Sequence, residues 1–159
     1  MRKIIWLVFA IVILILVVIL IFVLIRRSKG VEIGEIKRLY FSYTTGNMAH
    51  SGVVYELDCE DGGCTASVKP DGVPEEESLR FSVDAGFVRR LEALLRENEV
   101  GKWDGFDKTD RHVLDGKRFE MSLTMADGTM LHAGGYMKWP KNYSAVRDGI
   151  EALFGELSA

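Results

Sequence analysis

Residues 4–25, IIWLVFAIVILILVVILIFVLI, form an unbroken apolar run of 22 side chains without Gly, Pro, Ser or charge. A helix rises about 1.5 Å per residue, so this run would reach roughly 33 Å, matching a hydrocarbon core of ~30 Å. It predicts a single N-terminal transmembrane helix, with residues 1–27 as a signal-anchor and the lipid bilayer as a partner through residues 4–25. A cleavable signal peptide has a shorter apolar stretch, about 7–15 residues, and then a small-x-small site. Here Arg26-Arg27-Ser28-Lys29 follows instead, with no adjacent cysteine for a lipid to modify. Trp6 near one end and Arg26 and Arg27 at the other suit the two interfaces. The run has no small-xxx-small face, so nothing in it specifies tight helix pairing.

The orientation is divided. Arg2 and Lys3 precede the run, while Arg26, Arg27, Lys29, Lys37 and Arg38 follow it. Charge counting leans toward a cytoplasmic body, whereas a very short retained N-terminus is usual for a signal-anchor. The only cysteines, Cys59 and Cys64, lie in YELDCEDGGCTASVK. If Glu60–Gly63 turns a hairpin, Cys59 sits opposite Cys64, Leu57 opposite Ala66 and Tyr55 opposite Val68. That register gathers the apolar side chains on one face. Opposed residues have Cβ atoms about 4.5–5.5 Å apart, near the separation a disulfide needs. Disulfides persist in oxidising compartments, so the pair tilts the expectation toward an extracytoplasmic body. Two buried free thiols are the alternative. No second Cys/His pair is spaced to complete a metal site, and no metal or cofactor is expected.

Residues 28–35 read as a linker and residues 36–159 as one soluble domain. Residues 31–159 carry 15 Lys/Arg against 23 Asp/Glu, a formal charge of −8. An acidic domain without a basic stripe is a poor nucleic-acid binder and a poor partner for anionic lipid. Alternation at Leu39/Phe41/Tyr43, Val53/Tyr55/Leu57 and Leu79/Phe81/Val83 predicts strands, with Cys64–Lys69 the partner of the second. Pro70–Pro74 supplies turn chemistry. The period then shifts. Asp84–Asn98 places Phe87, Val88, Leu91, Leu94 and Leu95 on one helical face, with Ser82 or Asp84 as cap. After a loop over 100–117, Phe119, Met121, Leu123 and Met125 alternate. Asp127-Gly128 turns the chain, and Met130–Tyr136 returns. Pro140, with Asn142 or Ser144 as cap, opens a last helix striped by Val146, Ile150, Leu153, Phe154 and Leu157. The order β-β-β-β-α-β-β-α predicts an α+β fold: an antiparallel sheet with two helices packed on one face.

The segments FSYTTGNMAHSGVVYEL, VKPDGVPEEE and WDGFDKTDRHVLDGKRFEMSLTMADGTMLHAGGYMKWPKNY, in this order of elements, resemble an uncharacterised family of bacterial membrane-anchored or lipoprotein-type extracytoplasmic domains. The resemblance spans most of residues 36–157. It implies the fold and an outside location, and no activity. The cysteine pair is not part of that pattern.

The loop Trp103–Gly116 is the most distinctive stretch. Its carboxylates Asp104, Asp107, Asp110 and Asp115 invite a calcium reading. The spacing is not that of an EF-hand, and Lys108 and Arg111 would repel the ion. A structured loop with Trp103 and Phe106 plugging the core accounts for it better. The segment Gly134–Tyr143 mixes glycines, three aromatics and two lysines. Tyr and Trp anchor interfaces, so Trp103, Phe106, Tyr136, Trp139 and Tyr143 are the candidate partner-binding residues. The bland reading is that these rings seat the final helix. Of His50, His112 and His132, only His112 has carboxylates beside it in sequence, Asp110 and Asp115. No nucleophile elbow or metal-protease motif supports catalysis. His132 would face Leu123, and Glu75–Glu77 reads as a solvated run. The leading expectation is a membrane-tethered extracytoplasmic binding module for a protein or envelope partner. The alternatives are an anchored envelope hydrolase using His112 and loop carboxylates, and a cytoplasm-facing regulatory domain.

Overall fold

The computed structural model describes residues 11–19, 30–44, 52–60, 62–70 and 72–158. The chain divides into two compact units, residues 1–30 and 31–159. Within the first, residues 11–19 form helix α1. Among the described residues no helix is long and apolar enough to cross a membrane. The expected single-pass transmembrane helix is corrected to that extent: the described residues hold no membrane-spanning helix, and the remainder of 4–25 lies outside them.

The second unit is an α+β domain built on one seven-stranded sheet. Its strands are β1 (Ile36–Thr44), β2 (Gly52–Glu60), β3 (Gly63–Pro70), β4 (Leu79–Val83), β5 (Phe106–Thr109), β6 (Arg118–Met125) and β7 (Met130–Tyr136), in the spatial order β4-β3-β2-β1-β6-β7-β5. Two helices, α2 (Ala85–Glu97) and α3 (Tyr143–Gly155), complete it. The periodicity missed β5, which lies in the stretch read as loop and pairs parallel to β7. The sheet is thus antiparallel except at that edge. Four residues with one apolar side chain, Phe106, are too short for alternation to register. The linker reading also needs correction at its end. The Val31 N–H donates to the Gly101 carbonyl at 2.8 Å, and Ile33 is buried in the core.

Register explains the layering. Leu39 lies opposite both Leu57 and Leu123; Phe41 lies opposite both Tyr55 and Met121. These side chains share one face, and the helices cover it. The Asp84 carboxylate caps α2 by accepting the Phe87 N–H at 2.8 Å. Phe87, Val88, Leu91 and Leu95 turn inward from α2, and Val146, Ile150, Leu153 and Phe154 from α3. The Phe154 ring meets Tyr55 and Phe87 edge-on at 5.1 and 5.2 Å, which ties both helices to the sheet. The opposite face carries Arg38, Tyr40, Glu56, Asp58, Ser122 and Thr124 and forms a shallow concavity of about 440 Å³.

The β6–β7 turn corrects one placement. Leu123 pairs with Leu131, and His132 pairs with Ser122 on the polar face. The Gly128 N–H donates to the Met125 carbonyl, and Gly128 sits at φ 83°. The connection is therefore one residue longer than a two-residue turn, a turn closed by a left-handed glycine. One residue of slip moves His132 to the other face.

In the β2–β3 hairpin Cys59 pairs with Cys64, Leu57 with Ala66 and Tyr55 with Val68. The two sulfurs are bonded across a sequence separation of 5 residues. So short a ring restrains little chain entropy, about 2 kcal/mol at most. Cys59→Ala/Cys64→Ala is expected to lose no more than that by urea denaturation and to keep its sheet spectrum, because Leu57, Ala66 and Tyr55 still pin the register. Loss of the sheet signal would contradict this.

Candidate recognition cleft

The cleft is made by two chain reversals that meet. At the end of α2, Asn98 caps the helix and Glu99 turns left-handed at φ 56°. A 3-10 turn, Val100–Trp103, then drives the Trp103 ring into the core. Gly105, at φ 71°, redirects the chain, and its N–H donates to the His132 carbonyl at 2.9 Å, docking β5 beside β7. The second reversal follows β7. Met137 and Asn142 are both left-handed, at φ 54° and 63°. Among the described residues Glu99, Met137 and Asn142 are the only non-glycine positions with positive φ. Each costs on the order of 1 kcal/mol, and such conformations concentrate where a backbone is held for a purpose.

Side chains lock the reversals together. The Trp103 indole N–H donates to the Lys141 carbonyl at 3.0 Å, and the Asn142 amide donates to the Asn98 carbonyl at 3.2 Å. Asn142 occupies the cap position of α3 yet caps nothing with its side chain. It serves the other reversal instead. Glu99 accepts from the Lys102 ammonium and, at 3.0 Å, from that of Lys141. The result is a cleft of about 270 Å³, floored by Phe106 and Trp139 and rimmed by Lys102, Lys108 and Lys141.

The five candidate aromatics separate here. Trp103 and Tyr143 are buried, and with Phe119 and Trp139 they form one packed cluster. Both belong to the core beneath the cleft rather than to its exposed surface. Trp139 is 37% exposed. It stacks on Tyr143 at 4.7 Å and 21° and also meets Phe119 at 5.7 Å. Phe106 is half-buried, with the Lys108 ammonium 5.2 Å from its ring centre. Tyr136 does something else. Its hydroxyl accepts the Gly116 N–H at 2.6 Å and donates to the Leu114 carbonyl at 2.8 Å. It staples the 110–117 loop while Leu114 itself stays 93% exposed. The lysine rim was not legible in advance. Lys102, Lys108 and Lys141 are scattered in sequence, and only the meeting of the reversals gathers them.

Glu99 is the electrostatic hinge of the cleft. Hydrogen bonds from Lys102 and then Lys141, and their positive charges, lower its carboxyl from the ordinary 4.5 to about 2. A depressed carboxyl contributes stability fully above its unfolded value and loses it as pH falls through the folded one. The three-residue contact should therefore hold down to about pH 2. NMR titration of Glu99 is expected to show that midpoint, moving back toward 4.5 in Lys102→Ala and again in Lys141→Ala. An ordinary midpoint in the unaltered chain would refute the arrangement.

The acid–base pair suggested by sequence does not assemble. The Asp110 carboxylate accepts the backbone N–H of His112 at 3.1 Å and pairs with Lys138 at 3.3 Å. Those contacts lower its pKa, the His112 N–H most. It closes a turn and orients no imidazole. Asp104 accepts the His132 backbone N–H at 3.2 Å. His50 lies outside the described residues. Among the described residues, no three His, Cys, Asp or Glu side chains converge as metal ligands. In comparison with known proteins, the chain matches no family model and no curated sequence.

Proposed function

We propose that residues 31–159 are a binding module of an oxidising, extracytoplasmic compartment, and that the cleft lined by Phe106 and Trp139 holds its partner. The observation that carries this reading is Trp139 itself. A large ring is stacked on Tyr143, remains 37% exposed and lines the cleft beside Phe106 and the left-handed Glu99. Preorganised aromatic anchors are what binding hot spots are made of. The Cys59–Cys64 bond supports the compartment, because such bonds persist where thiols are not kept reduced.

A displayed peptide library selected against the domain, with Trp139→Ala as counter-screen, tests the site. Ligands are expected that lose about 30-fold or more on Trp139→Ala, the weight of a central Trp. The variant should stay folded, forfeiting about 0.5–1.5 kcal/mol of stacking. A library yielding nothing that distinguishes the two proteins would remove the cleft as the site. Maleimide trapping in intact cells tests the compartment: thiols that react before any reductant is added would overturn it.

A further inference from the structure

We infer that the cleft takes an acidic peptide segment in extended conformation, laid along the free edge of β5 with its carboxylates against Lys102, Lys108 and Lys141. The inference rests on the proposed reading of the cleft and adds the chemistry of the occupant. Charge is the first argument. The domain carries 23 acidic against 15 basic residues, yet three lysines and a single carboxylate, Glu99, face this cleft. An excess of two positive charges in a field of opposite sign is a local reversal that selects anions. Glu99 does not exhaust it. Each ammonium has three donors, and Glu99 engages one from Lys102 and one from Lys141. Those side chains remain 52% and 79% exposed. Lys108 sits above Phe106.

The second argument separates a peptide from other polyanions. Among the described residues β5 is the last strand of the sheet and pairs only with β7. An edge strand offers a row of backbone N–H and C=O groups on its outer side for a further strand to pair with. Two of its four residues, Phe106 and Lys108, line the cleft. A segment that pairs with this edge runs directly past the lysines, with alternate side chains facing them and Trp139. Backbone pairing supplies affinity and the lysines supply selectivity. A glycan or a lipid headgroup cannot use the ladder.

The experiment uses residues 31–159 within the full chain and four probes: acetylated hexaglutamate, hexalysine and hexaserine amides, and heparin. Intrinsic tryptophan fluorescence, compared with that of Trp139→Ala, and calorimetry report binding. Hexaglutamate is expected to bind, to weaken steeply between low and physiological salt, and to lose about tenfold in Lys102→Ala/Lys108→Ala/Lys141→Ala. Lys108→Glu, outside the Glu99 contacts, should by itself weaken it. Replacing alternate residues of hexaglutamate by N-methyl residues should abolish the remaining affinity. Binding of hexalysine or hexaserine in its place, sensitive to Trp139→Ala, would overturn the acidic occupant and leave the cleft as a site. Heparin binding at the lysines without hexaglutamate binding would overturn the peptide. Undiminished hexaglutamate binding to the triple variant would place the interaction elsewhere and overturn the inference.

Discussion

Phe119→Ala should lower the unfolding free energy of the domain by about 3–5 kcal/mol. Phe119 is 1% exposed on β6, and its ring lies between Tyr143 at 4.8 Å, Trp139 at 5.7 Å, Trp103 at 6.1 Å and Phe106 at 6.2 Å. Removing it leaves a cavity bordered by four rings. They cannot collapse into it, because the Trp103 indole is tied to the Lys141 carbonyl and Tyr143 opens α3. A domain of this size has only about 5–15 kcal/mol in all. Thermal denaturation should drop by more than about 10 °C. The cleft should also loosen, read as a change in Trp139 fluorescence in the folded variant. A loss below about 1 kcal/mol would mean that the aromatic cluster is not packed as described. Phe119→Leu, which nearly conserves volume, should cost much less.

Gly101→Ala is expected to be nearly as damaging, although it adds one methyl group. A Cβ at Gly101 would lie 1.8 Å from the Val31 carbonyl oxygen and 2.9 Å from its carbon. Both are backbone atoms, held by the 2.8 Å bond from the Val31 N–H to the Gly101 carbonyl. A side chain could swing aside; this strand of backbone must detach. Overpacking of that kind costs about 3 kcal/mol. The damage should be local first: faster amide exchange and proteolysis at Val31–Ile33, where Ile33 leaves the core, together with a lower Tm. Gly149→Ala is the control. Its Cβ would first meet the Leu94 side chain, its methyls at 2.5 and 2.9 Å and its branch carbon at 3.2 Å, and a side chain can move where backbone cannot. On a helix, alanine also gains up to about 1 kcal/mol over glycine. Equal losses in the two variants would refute the backbone argument.

The helices were legible because each stripe repeats over three turns, and Asp84 stands where a cap belongs. The β2–β3 hairpin was legible because only one register puts Tyr55, Leu57, Ala66 and Val68 on the same side. Two strands misled. Around Asp127-Gly128 the pattern Leu131/His132 permits two registers, and burial of Leu131 against Leu123 decides between them. β5 shows one apolar residue, and it is a strand because β7 offers an edge. Local sequence holds no trace of that edge. The candidate rings were chosen by residue type, and type does not say which of five aromatics is left facing water.

From sequence alone come the apolar run at 4–25, the acidic balance of the rest, the order of most strands and helices and the pairing of Cys59 with Cys64 opposite each other. All of these are local: composition, period, or neighbours across one turn. The tertiary structure decided the parallel edge, the burial of Trp103 and Tyr143, the exposure of Trp139 and the meeting of Lys102, Lys108 and Lys141. The parallel edge joins residues 27 positions apart and the cleft joins residues 38 apart, brought together by the core, and burial in a shared core is a property of the whole chain.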